Sequence, residues 1–239
     1  MEHSNKYIFI YSLVMVVLVA VALTIVAVQL KPAQDDNIRI EKMQNILSSV
    51  NVPVAEIPKK QVIDVYHKYV KTAFAVNDKG EIVESDPEKV FKIEMANELK
   101  KDPAQQQLPV FVAVLDNGDS AVVVPLRGKG LWGAIWGYIS FKTDYNTVYG
   151  CMFDHKSETP GLGAEINQSW FQKPFLGKTI FDEGGNMVSI GIMKKGQIKK
   201  EAHDVDAISG GTITSKGVQK MIKDNLDSYQ AYFKKHFRS

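Results

Sequence analysis

A chain of 239 residues can bury a core in one or two domains, and its 29 basic against 27 acidic residues leave a net charge of only +2. No block of like charge stands out, which argues against a nucleic-acid partner, since such partners select a clustered basic face. The single cysteine, Cys151, excludes an intrachain disulfide and any zinc site or iron–sulfur cluster built on cysteines of this chain. Redox chemistry would therefore have to come from an organic cofactor or a partner.

Taken in chain order, the first element is the clearest. No charged side chain occurs from Tyr7 to Leu30, and Val, Leu, Ile and Ala dominate. As a helix rising about 1.5 Å per residue, the stretch is long enough to cross a hydrocarbon core of about 30 Å. It exceeds the apolar region of a signal peptide, about 7–15 residues, and no small-x-small cleavage pattern surrounds Gln29 to Pro32, so a retained anchor is expected. Lys6 and His3 before it, against Lys31, Asp35 and Asp36 after it, barely decide its orientation. The expected division is a short N-terminal segment over 1–6, a transmembrane helix over 7–30, a polar linker over 31–37 and one water-soluble domain over 38–239.

Within that domain Ile38, Met43, Ile46, Leu47 and Val50 fall at helical spacing, and Val62, Val65, Tyr66, Tyr69, Val70 and Ala73 repeat it behind Pro58. Asp86 and Pro87 supply a cap and a first-turn proline for a third helix through about Lys100. The middle changes character. Leu108 to Leu115 and Ala121 to Leu126 read as strands joined through Asn117 and Gly118, and 134–141 and 147–153 repeat the plan around Asp144 and Asn146. A further strand is expected over 187–193. Val218, Met221, Ile222, Tyr229, Tyr232 and Phe233 mark one face of a C-terminal helix. The fold class is α+β, with a mainly antiparallel sheet and flanking helices behind a single transmembrane helix.

Three glycine-bearing stretches invite a ligand. Gly128, Gly130 and Gly133 in "GKGLWG" match the spacing of a dinucleotide fingerprint, but "AIWGYISF" after them reads as a strand, where that fingerprint requires a helix. Trp132 between glycines could present an open aromatic face or sit in the core. In "HKSETPGLGAE", Pro160 and the glycines favour a turn whose amides a ligand could approach closely. His155 and Glu158 could form an acid–base pair, but His67, His203 and His236 are scattered, and neither a metal site nor a catalytic residue is expected. "DAISGGTITS" runs from Asp206 into an amphipathic helix, so its amides and the positive end of the helix dipole suit an anion near Thr212. A plain helix start capped by Thr214 or Ser215 is the competing reading.

Taken together these stretches carry a resemblance. "DAISGGT" resembles the flavinylation motif D-x-x-[ST]-G-A-T, and with "RGKGLWG", "ETPGLGAE" and the anchor in the same order the chain is similar to the C-subunit family of Na+-translocating NADH:quinone reductases. The resemblance covers nearly the whole chain. It implies FMN joined by a phosphoester bond to Thr212, with Leu131, Trp132, Thr159, Gly161, Leu162 and Lys194 around the flavin and Ser209, Gly210 and Gly211 shaping the turn. It implies further an electron-carrying subunit on the path from NADH to quinone coupled to sodium export. Its partners would be the other subunits of a membrane complex and a flavin transferase using FAD. The flavin domain would face away from the cytoplasm of a cell inner membrane, with residues 1–6 inside. Position 211 departs from the pattern, with glycine in place of alanine. A G-type subunit of an Rnf electron-transport complex, an anchored assembly domain without flavin, and a hydrolase using Ser209 or Thr212 remain as alternatives.

Overall fold

The computed structural model describes residues 4–237, so residues 1–3 of the expected N-terminal segment, and Arg238 and Ser239, lie outside the described residues. The chain divides into two compact units, Met1–Lys42 and Met43–Ser239.

Helix α1 spans Asn5–Ser49, and its segment Tyr7 to Leu30 leaves its large apolar side chains exposed. Among the described residues it is the one helix long and apolar enough to cross a membrane. The stretch 31–37, expected as a linker, is helical and contains Pro32. A proline removes one hydrogen bond from a helix interior, but Ala33, Gln34 and the i,i+4 pair of Lys31 with Asp35, 2.8 Å apart, favour continuation.

In the second unit α2 (Val62–Tyr69) passes directly into strand β1 (Val70–Val76). The helical spacing read through Ala73 therefore ends early, and "VKTAFAV" pairs as a strand because β3 offers it an antiparallel edge from Leu108 to Ala113. Strand β2 (Ile82–Glu84) follows. The third helix starts where expected, with the Asp86 carboxylate accepting from the Glu88 amide at 3.0 Å and Pro87 in the first turn. It breaks at Ile93 into α3 (Pro87–Lys92) and α4 (Met95–Glu98).

Strands β3 (Leu108–Val114), β4 (Ser120–Lys129), β5 (Ala134–Phe141) and β6 (Val148–His155) follow the sequence pattern closely. They complete a six-stranded antiparallel sheet in the order β2-β1-β3-β4-β5-β6. Short helix α5 (Ser169–Gln172) comes next, and the strand expected over 187–193 shrinks to β7 (Gly191–Met193), which pairs in parallel with β8 (Asp204–Asp206). The C-terminal helix is split at Tyr229 into α6 (Thr212–Ser228) and α7 (Gln230–Phe237).

Alternation along the strands sends Val122, Val124 and Leu126 of β4, with Ile135, Ile139 and Phe141 of β5, into a core shared with Val218, Met221, Ile222 and Leu226 of α6 and Phe233 of α7. On the opposite face Ser140 donates to the Ser49 carbonyl at 2.5 Å, where the last turn of α1 reaches the sheet. Helix α6 crosses the end of β4 unusually closely. A Cβ on Gly128 would lie 2.7 Å from the Met221 Cβ, and one on Gly217 would lie 2.7 Å from the Lys129 carbonyl oxygen. Asn225, fully buried, donates to the Arg127 carbonyl at 2.9 Å and accepts from the Arg127 amide at 3.2 Å, continuing the ladder where β3 has ended. The "GKG" glycines are thus the surface on which α6 lies, and that packing brings the N-terminus of α6 to the β4–β5 loop.

Candidate functional site

Three segments distant in sequence meet at the start of α6. The first is the β4–β5 loop, closed by the Gly130 amide donating to the Gly133 carbonyl at 2.8 Å. Within it Leu131 is exposed and Trp132 is 68% exposed. The alternative of a core tryptophan is excluded, and the indole lies open to solvent.

The second is the turn after β6. Thr159 is exposed, and its carbonyl accepts from the amides of Leu162 and Ala164, both at 3.1 Å, which folds Pro160 and Gly161 outward. Gly161 takes φ +75, and its amide donates to Glu165 Oε1 at 3.1 Å, while Trp170 Nε1 donates to Glu165 Oε2 at 3.3 Å. The Leu162 side chain is left exposed at the tip.

The third is the "SGGT" loop. Ser209 and Gly210 are exposed, Gly210 has φ +77, and Gly211 is buried. A Cβ on Gly210 would come within 2.7 Å of the Leu162 Cδ2, and one on Gly211 within 3.1 Å of the Leu162 carbonyl oxygen, so this loop lies directly on the Leu162 turn. Lys194 follows β7 and is exposed. It sits at the same end, because the carbonyl of the preceding Met193 accepts from the Ala207 amide at 2.6 Å.

Helix α6 begins at Thr212 with no side-chain cap. Neither hydroxyl expected to cap it does so. Ser215 Oγ accepts from the Ile208 amide at 3.1 Å, closing the loop from behind, and Thr214 Oγ1 donates to Glu158 Oε2 at 2.6 Å. The first-turn amides of Thr212, Ile213 and Thr214 therefore keep the unmet donors of a helix N-terminus, together with the positive end of the dipole. Thr212 is half-buried, and its hydroxyl makes none of the side-chain hydrogen bonds found among the described residues. Ile213 beside it is 60% exposed. Unmet amides for a phosphate, an unengaged hydroxyl, and open apolar faces on Leu131, Trp132, Leu162 and Ile213 fit a phosphorylated flat aromatic cofactor.

Sequence reasoning named Glu158 only as a possible acid–base partner and missed that it joins these segments. Glu158 is only 5% exposed; its Oε1 accepts from the Trp132 amide at 2.8 Å and the Gly133 amide at 3.3 Å, and its Oε2 takes the Thr214 hydroxyl. Burial pushes its carboxyl up, but the Thr214 hydroxyl, the Trp132 and Gly133 amides and nearby His155 outweigh that and hold it below the usual carboxylate range. The acid–base pairing of His155 with Glu158 does not form between side chains. Instead the Glu158 backbone amide donates to His155 Nδ1 at 3.2 Å. Only the glycines at 130 and 163 hinted at a buried neighbour, since each lacks the Cβ that would collide with this carboxylate.

The antiparallel sheet, the crossing helix and these converging glycine-bearing loops define an FMN-binding domain, and a family profile described as FMN-binding domain matches residues 130–227. Among curated relatives, the C subunit of the Na(+)-translocating NADH-quinone reductase of Haemophilus ducreyi is 32% identical, over 87% of this chain and 86% of its own length. The corresponding C subunit of Pseudomonas aeruginosa is 28% identical over 98% of each chain. A crystal structure of the Parabacteroides distasonis C subunit superposes with a TM-score of 0.77 at 40% identity, covering 85% of this chain and 96% of that one. Shewanella oneidensis NqrC superposes at 0.69 with 29% identity, covering 84% and 98%. The chain belongs to the C-subunit family of Na(+)-translocating NADH-quinone reductases. It is an FMN-containing subunit of an oxidoreductase complex, and other subunits of that complex are its partners.

Proposed function

We propose that FMN is carried covalently on Thr212, through a phosphoester to its hydroxyl oxygen, and that the chain relays electrons between neighbouring centres on the path from NADH to quinone, coupled to Na+ export. The observation that carries this reading is the uncapped first turn of α6, where an unengaged Thr212 hydroxyl lies among unmet amides. A phosphate esterified there retains negative charge, which the amides and the helix dipole offset. The bound flavin would supply reversible electron transfer, a capacity that the protein's own side chains lack. Leu131, Trp132 and Leu162 would cover parts of the ring, Thr159 and Gly161 would hold the turn beneath it, Ser209, Gly210 and Gly211 would shape the attachment loop, and Lys194 would offer a cation at its edge.

Attachment needs no base in this chain. A flavin transferase using FAD would form the bond from Thr212 Oγ1 to the FMN phosphorus as the bond to AMP breaks and the hydroxyl proton is lost. The exposed Ser209 and Gly210 leave the loop accessible to such an enzyme. In this reading residues 7–30 cross the inner membrane with 1–6 inside, 31–37 lead out, and 38–239 form the extracytoplasmic flavin domain. Peptide mass spectrometry of the protein coproduced with the transferase should find one FMN-sized increment on the peptide carrying Thr212. An unmodified Thr212 peptide in a yellow protein would refute the attachment point.

A further inference from the structure

Resting on the assignment of Thr212 as the attachment point, we infer that Glu158 is a positioning residue for the flavin. Its buried carboxylate locks the Trp132 loop to the first turn of α6 and keeps a fixed negative charge beside the ring. The three groups it receives are all donors: two backbone amides and the Thr214 hydroxyl, at 2.8, 3.3 and 2.6 Å. An ionised carboxylate is an acceptor at every lone pair and satisfies all three at once, with charge-assisted bonds. Its own turn and the two segments it binds together make up three sides of the site. Glu158 opens the Leu162 turn, Trp132 belongs to the β4–β5 loop, and Thr214 lies two residues beyond the attachment hydroxyl on the same turn of helix.

The surroundings are built to admit this carboxylate. A Cβ on Gly130 would stand 2.5 Å from Oε1 and one on Gly163 would stand 2.5 Å from Oε2, closer than such atoms approach. None of the ion pairs found among the described residues involves Glu158, so its compensation comes from hydrogen bonds and not from a lysine or arginine. Two consequences follow. The bonds hold the Trp132 loop and the Thr212 turn at a fixed spacing, which sets how the flavin enters as its phosphate is joined. The charge, paired with no lysine or arginine and poorly screened at a buried site, opposes the addition of electrons to a nearby ring.

The test uses full-length protein, FAD and the flavin transferase, with thermal melts for every variant. Two quantities are read: the initial rate of covalent flavin incorporation, by in-gel fluorescence, and the midpoint potential of the attached flavin. Glu158→Ala should incorporate flavin at least tenfold more slowly than wild type. Glu158→Gln keeps acceptors for the two amides but loses the charge, so it should incorporate flavin at an intermediate rate and titrate at a more positive potential. Wild-type rates in both variants, or an unchanged potential in Glu158→Gln, would overturn the role. Should Glu158→Ala fail to fold, Glu158→Gln and Thr214→Val decide on the same readouts, Thr214→Val slowing incorporation with a smaller change in potential. Thr212→Ala is run alongside. Covalent flavin lost there while the Glu158 variants behave as wild type removes only the positioning role, whereas full flavin in Thr212→Ala removes the attachment reading itself.

Discussion

Gly217→Ala isolates the close crossing of α6 over β4. A glycine inside a helix costs about 1 kcal/mol relative to alanine, so at an ordinary helical position the change is stabilising. Here the added Cβ would lie 2.7 Å from the Lys129 carbonyl oxygen, 3.3 Å from the Gly130 Cα and 3.5 Å from the Ile135 Cδ1. The first two are backbone atoms that cannot rotate away, so α6 has to lift from the end of β4. Overpacking of this kind costs about 1–3 kcal/mol. Set against the gain in helix propensity, the expected net is a loss of about 1 kcal/mol, or about 2–4 °C in the melting temperature for a domain of this size. The lift also strains the Asn225 bonds to Arg127 and the Thr214 bond to Glu158, so flavin incorporation should fall with stability. The assay is thermal unfolding of the full-length protein in detergent, followed by circular dichroism, with exposed Lys216→Ala as a control expected within about 0.5 kcal/mol of wild type. A rise of about 2–4 °C in Gly217→Ala would refute the close crossing.

Asn225→Ala leaves the Arg127 amide and carbonyl unpaired near the core, at about 1–3 kcal/mol for each unmet group, and should lower the urea midpoint accordingly; an unchanged midpoint would contradict the bridging role. Burial pushes the Cys151 thiol far above its usual range, so a thiol reagent should label it negligibly in the native protein and stoichiometrically in urea; prompt native labelling would contradict its burial. Gly211→Ala restores the alanine of the flavinylation pattern. With φ at −102 the backbone accepts it, but the Cβ would stand 2.9 Å from the Ile208 Cγ2 and 3.1 Å from the Leu162 carbonyl oxygen, so overpacking of about 1–3 kcal/mol is partly offset by the gain of about 0.4–1 kcal/mol from replacing glycine, and the expected result is retained flavin incorporation with a stability loss of about 1 kcal/mol. The lowered Glu158 carboxyl adds stability that is fully present above the ordinary glutamate value of about 4.3 and is lost as pH falls through the lower folded value. Wild-type melting temperature should therefore fall more steeply than that of Glu158→Gln below about pH 4. Parallel slopes would show that the carboxyl is not held low in the folded state.

The parts of the fold legible in the sequence are those whose periodicity is decided locally. Strands β3 to β6 alternate cleanly, the Asn117–Gly118 turn closes as expected with Gly118 at φ +85, and Asp86 and Pro87 start their helix. Strand β1 is hidden because "VYHKYVKTA" continues a helical spacing while its second half is claimed by β3, a decision made by tertiary pairing. Strand β8 is three residues long and exists only through its parallel partner β7. The 31–37 stretch reads as a linker because a proline outweighs its neighbours locally, although a helix already formed on both sides can carry one. At the site the glycine loops and Thr212 could be nominated from the resemblance, and the structure brings the Trp132 loop, the Leu162 turn and the Thr212 loop together. Glu158 could not be nominated as the link between them, because nothing local distinguishes a buried glutamate from a solvated one. Its partners lie 26 and 56 residues away.

The proposed attachment places the flavin on a single hydroxyl oxygen, that of Thr212. In-gel flavin fluorescence under denaturing conditions, comparing wild type with Thr212→Ala coproduced with the transferase, tests it most directly. Wild type should give a bright band and Thr212→Ala none, with both proteins present in equal amount by total stain. A Thr212→Ala band as bright as wild type would contradict it.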